Sequence, residues 1–127
     1  MGVFVKGDII VIPFPFSDLS SVKRRPALVI APVTGDDLIL CQITSKYHSD
    51  PYSISLHPSD LISGTLKEMS YIRPDKLFTA NAYKLFTANA YKLFTANASM
   101  IQYTFGHVGD TVIQAVVNTI ISIIQQE

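Results

Sequence analysis

Three pairs of polar residues stand at places where a small barrel would bring its strand ends together. They are Arg24 and Arg25, Thr44 and Ser45, and Arg73 and Asp75. An arginine fork grips oxyanions in bidentate fashion, a hydroxyl adds a further hydrogen bond, and a carboxylate can accept a proton. The plainer reading treats Lys23, Arg24 and Arg25 as a solvated loop, Thr44 and Ser45 as a strand-end hydroxyl pair, and Arg73 with Asp75 as a surface ion pair worth about 0–1 kcal/mol. Three histidines compete for any acid–base role. His57 beside Pro58 and His107 before the final helix are expected as surface or loop residues, and His48 lies in a loop four residues after Thr44. Tyr47 and Tyr52 could stack on bases, and Phe14 and Phe16 suit a core or a contact between two copies.

The elements that must position these residues are mostly strands. Gly7-Asp8 opens a β-rich run from Ile9 to Phe16, whose prolines Pro13 and Pro15 place its end at a sheet edge or a bulge. Residues 17–25 are expected as a polar loop. Strands then follow at Pro26 to Ala31, Leu38 to Ile43 and Tyr52 to Leu56, with a turn at Gly35-Asp36-Asp37. Pro58 to Leu61 suggests one helical turn, and Glu68 to Ile72 a further strand. At the C-terminus the apolar period changes: Val112, Ile113, Val116, Val117, Ile120, Ile121 and Ile124 recur on one face of a helix capped by Asp110. Short strands with one terminal helix predict an α+β domain built on a small barrel or strongly curled antiparallel sheet.

The chain has 127 residues, 48% of them hydrophobic, with one cysteine and ten basic side chains balanced by ten acidic ones. One domain is expected over 1–127. Zero formal charge argues against disorder and against a broad nucleic-acid footprint. Lone Cys41 permits no intrachain disulfide or thiolate metal cage, and no span or signal peptide is visible. Cytoplasmic residence without a membrane is therefore expected. The octet Lys76 to Tyr83 recurs at 84–91 and again at 92–98, where Ser99 replaces the tyrosine. This is a local tandem expansion of period 8, and one copy is expected to continue the sheet. Because the period is even, a slip of one unit keeps every side chain on its face, so the register is degenerate. The surplus copies could loop out, form a hairpin, adopt a helix or exchange between subunits.

Gly7-Asp8-Ile9-Ile10, Arg25-Pro26-Ala27-Leu28-Val29-Ile30, Gln42-Ile43-Thr44-Ser45 and Ser70-Tyr71-Ile72-Arg73-Pro74-Asp75-Lys76, followed by an apolar helix, resemble the MazF/PemK toxin family of toxin–antitoxin modules. The resemblance implies an SH3-like barrel, a homodimer and a metal-independent endoribonuclease that cleaves single-stranded RNA without a cofactor. It also implies a cognate antitoxin with a disordered tail, and DNA binding through the antitoxin complex. Carried onto this chain, it makes Arg25 and Thr44 the holders of the scissile phosphate and Arg73 and Asp75 the acid–base pair. Lys23, Arg24, Ser45, Lys46 and His48 would border the RNA. Guanidinium scarcely loses its proton, so charge stabilisation is the safer role for Arg73. The alternative is an attenuated or inactive binding module, in which the repeat, beginning one residue after Asp75, distorts the site or drives subunit swapping.

Overall fold

The computed structural model describes residues 4–15, 22–33, 37–47, 49–81 and 104–126. Its elements run β1 (Asp8–Pro15), β2 (Val22–Pro32), β3 (Asp37–Thr44), β4 (Ile54–Leu56), a single 3-10 turn (Pro58–Asp60), β5 (Leu61–Gly64), β6 (Ser70–Asn81), β7 (Thr104–Val108) and α1 (Asp110–Ile124). The seven strands form one curled sheet in the order β4-β6-β3-β2-β1-β7-β5, and every pairing is antiparallel. The α+β class and the curled-sheet architecture expected from the residues are what the chain adopts.

Successive residues of a strand face opposite sides of a sheet, and here both sides are apolar. Ile9, Leu28, Cys41, Ile43 and Ile72 turn to one side, where Leu56, Leu66, Val108 and Val116 complete a buried cluster. Val112, Ile113 and Ile120 of α1 pack against it. Ile10, Ala27, Val29, Leu38 and Leu40 turn to the other side and cluster with Phe4, with Phe78 against them. Two-sided burial explains why β2 and β3 are nearly continuous apolar runs rather than alternating ones.

The prolines sit where the ladder does not need their missing N–H. Among the described residues, β1 beyond Ile10 pairs with β2 alone, which puts Pro13 and Pro15 on an edge of the described sheet. Pro26 pairs with Val11, one residue before β2 begins to pair with β3 at Ala27. In β6 the register jumps from Arg73, opposite Gln42, to Leu77, opposite Cys41, which leaves Pro74, Asp75 and Lys76 as a bulge.

Several boundaries differ from the sequence expectation. The polar loop ends earlier, because Lys23, Arg24 and Arg25 belong to β2 and pair with Phe14, Pro13 and Ile12. Pairing with β1 overrides a local composition that has no strand period. The last expected strand starts at Ser70 rather than Glu68, and β5 and β7 had no strand signal of their own. Helix α1 is capped by Gly109, with Asp110 in its first turn, where a carboxylate complements the helix dipole. Its apolar face is narrower than its sequence period suggests, since Ile121 and Ile124 are exposed. The first octet continues the sheet: Leu77 to Asn81 pairs with Cys41 to Asp37. The second and third octets, Phe16 and the Gly35-Asp36 turn lie outside the described residues.

At the start of β1 the backbone is tied in several directions. Gly7 donates its N–H to the Val29 carbonyl (2.9 Å) and accepts from Val108 N–H (3.0 Å). Asp8 is buried, with Oδ2 accepting from Val5 N–H at 2.9 Å and Oδ1 2.9 Å from His107 Nδ1. His107 is therefore a half-buried member of β7 rather than a surface or loop residue. Gly7 has φ +95°, and a Cβ there would meet the His107 ring at 2.8 Å and Ile113 Cδ1 at 2.7 Å.

Candidate functional site

By alternation, Arg25 lies on the same face of β2 as Ala27 and Val29, and Thr44 on the same face of β3 as Leu40 and Gln42. Gln42 stands opposite Arg73 and Thr44 opposite Tyr71. The face that is apolar at one end of the sheet thus becomes polar at the other, carrying Arg25, Gln42, Thr44, Tyr71 and Arg73 across β2, β3 and β6.

At that end a cleft of about 300 Å³ opens along the rim of the sheet, lined by Val11, Arg25, Pro26, Ile43, Thr44, Ser45, Leu66, Lys67, Glu68 and Ser70. Arg25, Thr44 and Ser45, which the sequence places at separate strand ends, therefore share one cavity. Thr44 is buried, and its Oγ1 accepts the Lys46 N–H at 3.1 Å, which shapes the bend after β3. Ser45 and Lys46 are exposed on that bend. Lys23 and Arg24 sit in β2 next to Arg25, and His48 lies outside the described residues.

Arg73 and Asp75 do not line this cleft. The Arg73 Nη1 donates to Gln42 Oε1 at 3.5 Å, its Nη2 lies 3.8 Å from Asp50 Oδ2, and its Nε is buried with no hydrogen-bond partner. Arg73 thus has Asp50, rather than Asp75, as its carboxylate neighbour. Asp50 accepts from Tyr52 N–H (2.8 Å), Ser53 N–H (2.9 Å) and Ser53 Oγ (2.9 Å). Chiefly through the Tyr52 N–H, then the Ser53 hydroxyl and N–H, and with help from Arg73, these contacts hold its carboxyl below the ordinary aspartate value. Asp75 is exposed in the β6 bulge. Beneath the bulge, the Cys41 thiol donates to the Arg73 carbonyl at 2.9 Å, and burial pushes its pKa up to about 12.

Tyr47 is exposed and meets Tyr71 edge to face, with ring centroids 5.5 Å apart. Tyr52 is committed elsewhere, its hydroxyl accepting from Gln126 Nε2 at 3.1 Å beyond the end of α1. His57 is exposed, as expected, with its N–H on Asp60 Oδ2 at 2.8 Å. Among the described residues, no group of three His, Cys, Asp or Glu could hold a metal ion, and no helix is long and apolar enough to cross a membrane.

Sequence reasoning missed Lys67 and Glu68, which line the cleft from the segment between β5 and β6, Ser70 at the start of β6, and Asp50, which faces Arg73. Nothing in the spacing of Lys67 and Glu68 sets them apart from any charged pair in a loop. Asp50 carried a signal, since an aspartate ahead of Pro51 favours a turn closed by its own carboxylate.

Comparison with known proteins places this geometry in context. Residues 5–124 match the family model described as PemK-like, MazF-like toxin of type II toxin-antitoxin system. A MazE–MazF crystal structure from Deinococcus radiodurans superposes with a TM-score of 0.65 at 18% identity, covering 98% of this chain and 99% of that one. A mycobacterial endoribonuclease in complex with its cognate antitoxin gives 0.66 at 12% identity, covering 98% and 97%. No curated protein matches by sequence. At these identities the structural likeness speaks for the fold.

Proposed function

The chain belongs to the PemK-like, MazF-like toxins of type II toxin–antitoxin systems, a family of endoribonucleases, and on that premise we propose that it cleaves single-stranded RNA without a metal, by attack of a ribose 2′-hydroxyl on the adjacent phosphate. The observation that carries this reading is the meeting of Arg25 and Thr44 on one cleft. A guanidinium fork and a hydroxyl donor together match the scissile phosphate, whose negative charge grows as the fifth oxygen bonds to phosphorus. Arg73, on the same polar face, adds positive charge. Exposed Lys46 and the neighbouring Lys23 and Arg24 would attract the RNA backbone despite the zero net charge. Tyr47, beside Tyr71, offers a ring on which a base can stack.

The working form on this reading is a homodimer held in check by a cognate antitoxin whose disordered tail occupies the RNA groove. The pairing of β6 with β3 on both sides of the bulge, Thr44 to Gln42 before it and Cys41 to Asp37 after it, supports an active site over one distorted by the repeat. The test is incubation of the chain with a long single-stranded RNA in EDTA, followed by end-group analysis. Fragments ending in 2′,3′-cyclic phosphate are expected. Arg25→Ala should slow their formation by about 100-fold or more, the scale of losing one oxyanion donor. An Arg25→Ala chain as fast as the parent would show the site to be wrong.

A further inference from the structure

The guanidinium of Arg73 is held from two directions. From β3, Gln42 stands opposite it in the register, and Gln42 Oε1 accepts from Nη1 at 3.5 Å. From the turn ahead of β4, Asp50 brings Oδ2 to 3.8 Å from Nη2, beyond hydrogen-bond length but close enough for two opposite charges to orient one another. The pair is largely shielded from water, with side chains 16% and 20% exposed. What fixes Asp50 is independent of Arg73. Its Oδ1 accepts from Tyr52 N–H at 2.8 Å and Ser53 N–H at 2.9 Å, and its Oδ2 accepts from the Ser53 hydroxyl at 2.9 Å. Pro51, with its φ locked by the ring, stiffens the backbone between this acceptor and its donors. The carboxylate is therefore built into its own turn as a fixed post, and the longer, more flexible arginine is the partner that adjusts to it.

We propose, on the basis of the ribonuclease reading, that Asp50 is a positioning residue for that reaction, holding the Arg73 guanidinium on the polar face that also carries Arg25 and Thr44. A charge set in place before the RNA arrives needs no reorganisation as the phosphate gains negative charge, and such preorganisation is where electrostatic catalysis gains most. A close bidentate carboxylate would occupy the fork that a phosphate needs. At 3.8 Å, Asp50 orients the fork without capturing it. Without Asp50, Arg73 keeps its charge but leaves its set orientation, so attraction of the RNA backbone persists while the step at phosphorus slows.

The test compares Asp50→Asn with the parent, using the full chain and a single-stranded RNA oligomer at a temperature where both are folded. Asparagine keeps a side-chain oxygen for the Tyr52 and Ser53 N–H groups, so the turn persists while the charge facing Arg73 is lost. Asp50→Asn should lower kcat by about tenfold or more, the scale of a misplaced catalytic group, with KM within about twofold of the parent. In an Arg73→Ala chain, already slow, adding Asp50→Asn should change the rate by less than about twofold, because residues that act through one contact are not additive. The Arg73 Nε–H is buried, so the parent should give a sharp, slowly exchanging proton–nitrogen NMR signal, identified by its absence in Arg73→Lys, that broadens in Asp50→Asn. A parental or raised kcat in Asp50→Asn, a loss confined to KM, the same loss repeated in the Arg73→Ala chain, or an unchanged Arg73 signal overturns the proposal. If Arg25→Ala is inactive while Asp50→Asn cleaves like the parent, the assignment of Asp50 fails and the ribonuclease reading survives. A parent chain that leaves RNA intact removes both.

Discussion

At the scale of single residues, Asp8 is a buried polar group outside the cleft, and its two oxygens join Val5 near the head of the chain to His107 in β7. Removing a buried acceptor strands its donors, at a cost of about 1–3 kcal/mol. Asp8→Ala should therefore lower stability in a urea titration by about that amount without touching the cleft. Asp50 has a definite pH signature. Its carboxyl titrates below the ordinary aspartate value in the folded chain, so its contribution is fully present above that value and is lost as pH falls through the lowered one. Thermal melts of the parent and Asp50→Asn should differ at neutral pH and converge only in acid below the ordinary aspartate range near 3.8. Cys41 stands at the other extreme. Fully buried and with its pKa pushed up to about 12, its thiol should resist iodoacetamide in the folded chain and react at the ordinary rate in denaturant, as mass spectrometry would show.

At the scale of elements, Gly7 is the residue on which β1, β2, β7 and α1 converge. A side chain there faces both a left-handed backbone and a ring 2.8 Å away, so Gly7→Ala should cost about 1–3 kcal/mol, seen as a lowered denaturation midpoint. This convergence also shows what was legible in the chain. Helix α1 was, because its apolar residues recur at the helical period, and the cores of β1 to β3 were, because their short apolar runs are bounded by turn residues. The start of β2 was not, since Val22 to Arg25 becomes strand only by pairing with β1. Strands β5 and β7 are short, and they complete the sheet by pairing with each other across a long stretch of chain. The site divided in the same way. Arg25, Thr44 and Ser45 ended strands visible in the sequence, and their meeting could be anticipated. Lys67 and Glu68 sit on a connection whose path depends on where Leu66 is buried, and local spacing carries no record of that.

At the scale of the whole molecule, the tandem octets pose the question of what length this fold requires. Strand β3 is fully used by one copy, its first residue Asp37 lying opposite Asn81. Removal of two octets should therefore leave the sheet intact. It also shortens the connection between β6 and β7 by sixteen residues. The shortened chain should show an unchanged circular dichroism spectrum, a melting temperature equal to or slightly above the parent's, and the same RNA fragments. Because the polar half of β6 is aligned with Gln42 to Thr44 before the bulge and the octet half with Asp37 to Cys41 after it, the two halves are read separately against β3. Eight residues correspond to a whole number of codons, so gain or loss of a unit by slippage during DNA replication keeps the reading frame. Lineages carrying one, two or three units would then inherit the same sheet, and natural selection acting on the proposed RNA cleavage would be blind to the number.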